Sequence, residues 1–183
     1  MQIASGREHA YGLAGVVHVA AGRDMSYAVL ADGSLRASGG NAYGEVGDGT
    51  TTQRRMPVLV TAGHAAHVDA GAEHDVILLA DGRVQTWGRG NCGQLGLGTK
   101  ANRTRPTTVP GLPRIIVEVG DGRDQSFALT DTGQVYAWGF NDNGQLGDGT
   151  VTRRLSPVLL PGLSGVVAAQ GGRGMTIFLP SSG

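Results

Sequence analysis

The chain has 183 residues, no net charge and 40% hydrophobic residues, a composition that fits one folded domain or two small ones. Its balanced charge argues against a strongly basic nucleic-acid-binding protein, because neutralising phosphates takes a surplus of Lys and Arg. The single cysteine, Cys92, leaves no partner for an internal disulfide and no cysteine zinc site. The sequence predicts neither a membrane span of ~18 apolar residues nor a signal peptide.

Glycine is the most informative residue type, with 32 of 183 positions, about 17% against an average near 7%. Leu, Glu and Lys do not recur at helical spacing, so the composition predicts an all-β protein with many turns. Four anchor glycines, each opening a similar segment, stand 49, 51 and 50 residues apart: Gly22, Gly71, Gly122 and Gly172. The chain is therefore an internal repeat, predicted as a partial repeat at 1–15, units 1, 2 and 3 at 16–60, 64–109 and 113–160, and a second partial repeat at 164–183.

Each unit is predicted to hold four short strands. In unit 3 they are Ile116–Val119, Ser126–Thr130, Gln134–Trp138 and Pro157–Leu160. The second and third strands of each unit are joined by a turn whose glycine supplies the positive φ that a hairpin needs. These turn glycines are Gly33, Gly82 and Gly133. Four-stranded units at this spacing are typical of propeller blades.

A long motif follows the third strand of each unit. In unit 3 it reads Trp138-Gly139-x-Asn141-x-x-Gly144-Gln145-Leu146-Gly147-Asp148-Gly149-Thr150, and its copy runs from Trp87 to Thr99. Unit 1 departs from it, with Ser38 in place of the tryptophan and Glu45-Val46 in place of Gln-Leu. On this motif the sequence resembles the regulator of chromosome condensation repeat family, and the resemblance implies a seven-bladed β-propeller.

The array amounts to about three and a half repeats, fewer than the four to eight blades of a closed ring. The fold expected is a β-propeller-type array of four-stranded antiparallel blades, three of them complete, with partial blades at both ends. Such an array forms an open arc, or half of a seven-bladed ring shared with another chain, or part of a longer protein. An open arc exposes apolar blade faces, which predicts self-association through the terminal blades.

No residue pattern predicts catalysis, a cofactor or a metal. His64, His67 and His74 are spaced closely enough to consider a metal site, but a fourth ligand is not in view. Acids such as Asp48 and Asp148 recur with the repeat, which is typical of a turn or hydrogen-bonding role. Trp87 and Trp138 share one register, and we expect both to be buried between blades. Together with the four anchor glycines they are predicted to form the structural core of the repeat.

Each unit carries two arginines between the Gly-Thr of the motif and the following proline. These six arginines are predicted to lie in equivalent loops, at equivalent positions, and so on one rim of the array. They are Arg54, Arg55, Arg103, Arg105, Arg153 and Arg154. One interpretation pairs them with acids of their own units, and it is favoured because exposed pairs of this sort are common. The other makes them a docking rim for an acidic or phosphate-bearing partner.

The function expected is a non-enzymatic protein-binding or scaffolding module that presents propeller loops to a protein partner, with no nucleic acid and no membrane involved. Three alternatives stay open. One is an enzyme-inhibitor-like propeller, although the related inhibitor lacks the Gly-Gln-Leu-Gly-Asp-Gly-Thr stretch. The second is a regulator like the guanine nucleotide exchange factor in the family that the chain resembles, by analogy only. The third is a structural repeat segment of a larger protein.

Overall fold

The computed structural model describes residues 13–61, 63–172 and 176–180, and the predicted partial repeat at 1–15 lies almost wholly outside them. Unit 1 is a sheet of β1 (Val16–Ala21), β2 (Met25–Leu30), β3 (Leu35–Gly39) and β4 (Arg54–Thr61). Unit 2 is a sheet of β5 (Ala65–Ala70), β6 (His74–Leu79), β7 (Val84–Gly88) and β8 (Arg103–Thr108). Unit 3 is a sheet of β9 (Ile116–Asp121), β10 (Gln125–Thr130), β11 (Val135–Gly139) and β12 (Arg154–Leu159). A two-stranded sheet of β13 (Val166–Gly171) and β14 (Thr176–Pro180) follows.

All of these sheets are antiparallel, with the strands of each complete unit in chain order. The prediction of an all-β array with three complete blades is confirmed, and so is the half blade that follows them. The turn glycines have the φ that the hairpins require, 75° at Gly33, 79° at Gly82 and 75° at Gly133. Among the described residues there is no helix long and apolar enough to span a bilayer.

The fourth strand of each unit starts earlier than predicted. In unit 3 the predicted strand is Pro157–Leu160, but β12 begins at Arg154, whose backbone pairs with Gly139 of β11. The proline is therefore not the first residue of the strand. It lies inside the strand instead, because β12 is an edge strand and the missing N–H of a proline costs no ladder hydrogen bond on the open side.

This shift moves most of the predicted arginine loop into the outer strands. Arg54 and Arg55 belong to β4, Arg103 and Arg105 to β8, and Arg154 to β12. The prediction that these five residues lie in a loop is therefore wrong, and Arg153 alone precedes its strand. The segment that remains a loop, between the third strand and the outer strand of each unit, is called the motif loop below.

Apolar side chains on the second strands fill the space between successive sheets. Tyr27 and Val29 of β2 pack in one cluster with Ile77 and Leu79 of β6. Because side chains alternate along a strand, one face of β6 contacts unit 1 and the other contacts unit 3, and β10 likewise contacts unit 2 and the half blade. Two further clusters join unit 2 to unit 3 and unit 3 to the half blade.

The anchor glycines are needed because the innermost strands, which are the first strand of each unit, approach one another closely at their ends. A Cβ atom on Gly22 would lie 2.6 Å from the carbonyl oxygen of Gly71, and one on Gly71 would lie 2.6 Å from that of Gly122. A Cβ atom on Gly122 would in turn lie 2.7 Å from the carbonyl oxygen of Gly172. Each anchor glycine thus leaves room for the backbone of the next unit, a reason for glycine that does not depend on φ.

Both tryptophans are fully buried, with 0% of Trp87 and 0% of Trp138 exposed, as predicted. The Nε1 of Trp87 donates to the carbonyl oxygen of Glu45 at 2.5 Å, and that of Trp138 donates to the carbonyl oxygen of Gln94 at 2.8 Å. Each indole therefore bonds the motif loop of the preceding unit, so the aromatic position of the repeat fastens one blade to the next.

Candidate partner-binding surface

The motif loops of units 1 and 3 are held closed by an asparagine. In unit 1 the Nδ2 of Asn41 donates to the carbonyl oxygens of Thr50 at 3.1 Å and Thr52 at 2.9 Å. Its Oδ1 accepts a hydrogen bond from the backbone nitrogen of Val46 at 2.9 Å. Asn141 makes the equivalent bonds in unit 3. The loop backbone is thereby satisfied by one buried side chain.

An aspartate in the same loops binds the first arginine of the outer strand. The Oδ1 of Asp48 accepts from the backbone nitrogen and the hydroxyl of Thr50, and its Oδ2 lies 2.5 Å from the Nε of Arg54. In unit 3 the Nε of Arg154 lies 2.7 Å from Asp148. Burial favours the neutral carboxyl, but the bonds from the threonine and the arginine outweigh it and lower the pKa of Asp148 to about 2. These two arginines are neutralised within their own units.

Unit 2 lacks both loop residues. Gly90 stands where the other units have the asparagine, and Leu97 where they have the aspartate. The backbone nitrogen of Gly90 instead donates to the Oδ1 of Asn102 at 3.0 Å. Arg103 pairs with Gly88 in the register of the other two arginines but forms an ion pair with none of the acids in the described part of the chain.

The remaining arginines do not share a register, contrary to the prediction of six equivalent positions. Arg153 forms an ion pair with Asp142 at 2.5 Å and lies over the ring of Phe140, 4.6 Å from its centroid. The guanidinium of Arg105 covers Gly49, the last motif glycine of unit 1. The ion-pair interpretation therefore describes Arg54, Arg153 and Arg154, whereas Arg103 and Arg105 form no ion pair with any described acid.

A histidine, an aspartate and a serine meet between units 2 and 3, a combination that also occurs in hydrolases. His74 opens β6 and is 0% exposed. Its Nε2 lies 2.9 Å from the Oγ of Ser126 and 3.2 Å from the Oδ1 of Asp121. Burial disfavours the charged imidazole, yet the carboxylate of Asp121 more than offsets this and raises the pKa of His74.

This cluster does not have the geometry of a catalytic triad. In a triad the acid contacts Nδ1 of the histidine and leaves Nε2 for the nucleophile, whereas here Asp121 and Ser126 share Nε2 of His74. The three residues come from neighbouring blades and join them. Sequence reasoning placed His74 at a strand end, but the partner it contacts across the blade boundary could not be inferred from the repeat.

Cys92 is half-buried, and burial raises the pKa of its thiol. A nucleophilic cysteine has a lowered pKa, so this residue is not activated. The described residues contain no group of three or more His, Cys, Asp or Glu side chains placed to hold a metal ion.

Family models of the regulator of chromosome condensation (RCC1) repeat match the chain in two sets. One covers residues 81–129 and 132–179. The other covers residues 16–45, 65–94 and 117–145. Together they include more than half of the chain. The first set begins at the hairpin turn of one unit and ends in the second strand of the next, so it spans the boundary between units 2 and 3, which Trp138 joins, and the boundary between unit 3 and the half blade.

Individual relatives agree with this result. The human E3 ubiquitin-protein ligase HERC2 is 54% identical over 50 residues, which are 27% of this chain and 1% of that protein. Human WBSCR16 superposes with a TM-score of 0.83 at 26% identity, covering 95% of this chain and 48% of that one. Prp20p from Saccharomyces cerevisiae, described with its binding properties to Gsp1p and histones, superposes with a TM-score of 0.84 at 20% identity, covering 93% of this chain and 44% of that one.

The chain thus spans less than half the length of WBSCR16 and of Prp20p and a far smaller part of HERC2. The chain belongs to the regulator of chromosome condensation (RCC1) repeat family.

Proposed function

We propose that the chain is a non-enzymatic protein-binding or scaffolding module whose outer strands and motif loops contact a protein partner. The main support is the distribution of its polar groups. The buried ones, such as His74, Ser126 and Asn141, bond neighbouring loops and blades. Exposed cations such as Arg105 lie on the outer strands. A rigid scaffold with charge at its rim suits recognition better than catalysis.

Relatives with the same fold support a protein as the partner. Prp20p is a protein whose binding to Gsp1p and histones has been described. That likeness concerns the fold, so the identity of the partner here is left to experiment. Guanine nucleotide exchange and enzyme inhibition are both forms of protein binding, and each would need a partner-contacting surface of this kind.

The test uses a variant in which one arginine of each unit is reversed, Arg54→Glu, Arg103→Glu and Arg153→Glu. We expect proteins captured by the immobilised wild-type chain to associate more slowly with the variant at low salt and almost equally at high salt, because rim charges act mainly on association. Loss of folding in the variant would instead identify these arginines as structural braces within their units. A folded chain that retains no protein in either form would contradict the proposed function.

The half blade supports a second interaction, self-association. Ile177 and Leu179 of β14 are 62% and 58% exposed, while Phe127 and Leu129 at the same register of β10 are each 2% exposed. In units 1 to 3 this register is covered by the next unit of the same chain. We propose that a second copy covers it here, because its side chains are as apolar as those that the next unit buries at this register of β10.

Sedimentation velocity over a range of concentrations tests this. The wild-type chain is expected to associate, and Ile177→Glu with Leu179→Glu to shift it to monomer without lowering the unfolding temperature of the three complete blades. Val117→Glu, at another exposed apolar position, is the control. A monomeric wild type at every concentration would overturn the proposal.

A further inference from the structure

The three outer strands, equivalent in backbone register, differ in local charge. The comparison covers the nine residues that begin at the position of the motif aspartate, which are 48–56 in unit 1 and 148–156 in unit 3. Each of these two segments carries one acid and two arginines, a net charge of +1. The same segment of unit 2, residues 97–105, carries Lys100, Arg103 and Arg105 with no acid, a sum of +3.

Three substitutions each add one positive charge to unit 2. The loss of the second arginine of the other units offsets one of them, since Thr104 stands at the register of Arg55 and Asn102 at that of Arg153. Leu97 replaces the aspartate that neutralises the strand arginine in units 1 and 3. Lys100 occupies the register of Thr51 and Val151, and Arg105 that of Met56 and Ser156. Unit 2 has thus both lost the acid and gained two cations at positions that are uncharged elsewhere.

The cations of unit 2 are also accessible and unneutralised. Lys100 and Arg105 are exposed and Arg103 is half-buried, and none of the three forms an ion pair with an acid in the part of the chain that the structure describes. Lys100 interacts electrostatically with Asp142 of unit 3, but that carboxylate already forms an ion pair with Arg153. The motif loop of unit 1 borders the patch through backbone, where the nitrogen of Gly49 donates to the carbonyl oxygen of Thr104.

We infer that the end of the motif loop and the start of the outer strand of unit 2, with Lys100, Arg103 and Arg105, are the docking site for an acidic segment of a protein partner. The inference rests on the proposed function and gives it a location and a partner chemistry. An acidic peptide matches three unneutralised cations within six residues of the chain. A nucleic acid would need a longer row of free cations. The neighbouring units do not extend the row, because Asp48 neutralises Arg54 and Asp148 neutralises Arg154.

Binding of a fluorescent ten-residue glutamate peptide at low ionic strength tests the inference. Leu97→Asp places the motif acid beside Arg103 without removing any cation, and we expect it to weaken binding about fivefold. Leu97→Asn, of similar size and uncharged, should leave affinity unchanged. Arg103→Glu should weaken binding at least as much as Leu97→Asp, and Arg154→Glu, which removes an already paired cation, much less.

The reciprocal change sharpens the test. Asp48→Leu in unit 1 frees Arg54 and should raise affinity for the peptide severalfold if unneutralised strand arginines are what the acidic segment recognises. Equal affinity in wild type, Leu97→Asp and Arg103→Glu would overturn the inference. So would tighter binding of a single- or double-stranded DNA of the same charge than of the peptide, since the site would then suit a nucleic acid.

The outcome is separable from that of the proposed function. If proteins captured from extract are retained equally by wild type and Leu97→Asp, the chain is a binding module that uses another surface, and the docking site is wrong. If no protein is retained by either but the peptide responds as described, the site binds acidic segments and the wider proposal fails.

Discussion

The indole nitrogen of Trp138 lies 2.8 Å from the carbonyl oxygen of Gln94, which also accepts the hydroxyl of Ser126 at 2.9 Å. One backbone oxygen of unit 2 thus receives two donors from unit 3, in a site closed to water. Blade-to-blade adhesion in this chain therefore combines apolar packing with hydrogen bonds whose loss would leave a buried carbonyl unpaired.

Removal of either tryptophan ring should destabilise the array strongly. Trp87→Ala and Trp138→Ala are each expected to lower the free energy of unfolding by about 3–5 kcal/mol, as for other large aromatic residues in cores. Trp138→Phe keeps a ring but loses the donor, and we expect a loss of about 2 kcal/mol. Urea unfolding followed by fluorescence of the remaining tryptophan measures the single variants, and equal effects of Phe and Ala would contradict the packing contribution.

Unit 1 carries Ser38 where the other units carry tryptophan, and Ser38 is 1% exposed. The smaller side chain offers less apolar surface and no indole donor to an adjoining blade. We therefore expect the amides of β2 and β3 to exchange with solvent faster than those of β6 and β7 in native-state hydrogen exchange. Greater protection in unit 1 than in unit 2 would reverse this ranking.

Gly71→Ala should destabilise the chain through the backbone of the next unit. The added Cβ would lie 2.6 Å from the carbonyl oxygen of Gly122, and relieving that overlap requires two innermost strands to separate. The cost expected is about 1–3 kcal/mol. Gly63→Ala is the matched control, because its Cβ would meet nothing closer than 3.7 Å. Thermal unfolding that is lowered equally by both changes would show that the effect is not steric.

Asp75 is a buried acid that the repeat does not require. It is 0% exposed, and neither of its oxygens accepts a hydrogen bond of normal geometry from the residues described; the hydroxyl of Tyr27 is close enough to lower the pKa of Asp75 in part but donates to the carbonyl oxygen of Glu45. Burial raises the pKa of Asp75 well above its usual value. Unit 3 has Ser126 in this register.

Asp75→Ser should therefore stabilise the chain by about 1–3 kcal/mol at neutral pH. A group whose pKa is raised on folding contributes stability that is lost as pH rises from the unfolded-state pKa through the folded-state pKa. The advantage of the serine variant is thus expected to be smallest near pH 3.5 and to grow with pH. Urea unfolding at several pH values tests this, and an advantage that shrinks as pH rises would contradict it.

The ion pair of Asp148 has the opposite pH dependence. Its pKa is lowered from 3.8 to about 2 by hydrogen bonds that outweigh partial burial, so its contribution is present above the unfolded-state pKa and is lost as pH falls through the folded-state pKa. Asp148→Asn should cost on the order of 1–2 kcal/mol at pH 6 and almost nothing near pH 2. A cost that does not change between these pH values would show that the charge is not what stabilises the loop.

The sequence by itself determined the repeat period, the all-β class, the hairpin turns and the burial of Trp87 and Trp138. These features depend on local chain properties, such as a positive φ at Gly82 or an aromatic residue recurring on one face of a strand. Such residues recur in the sequence with the period of the repeat. The start of the outer strand was misplaced, because an edge strand admits the proline that would interrupt a central one.

The contacts between units were decided by the tertiary structure. The anchor glycines were visible as a repeat, but their reason is the backbone of the next blade, 2.6 Å from the Cβ position of Gly71. The difference between Leu97 and Asp48 can also be read in the sequence. Its meaning depends on the 2.5 Å approach of Arg54 to Asp48, because a charge is neutralised by what lies beside it in space, and only the folded chain sets that distance.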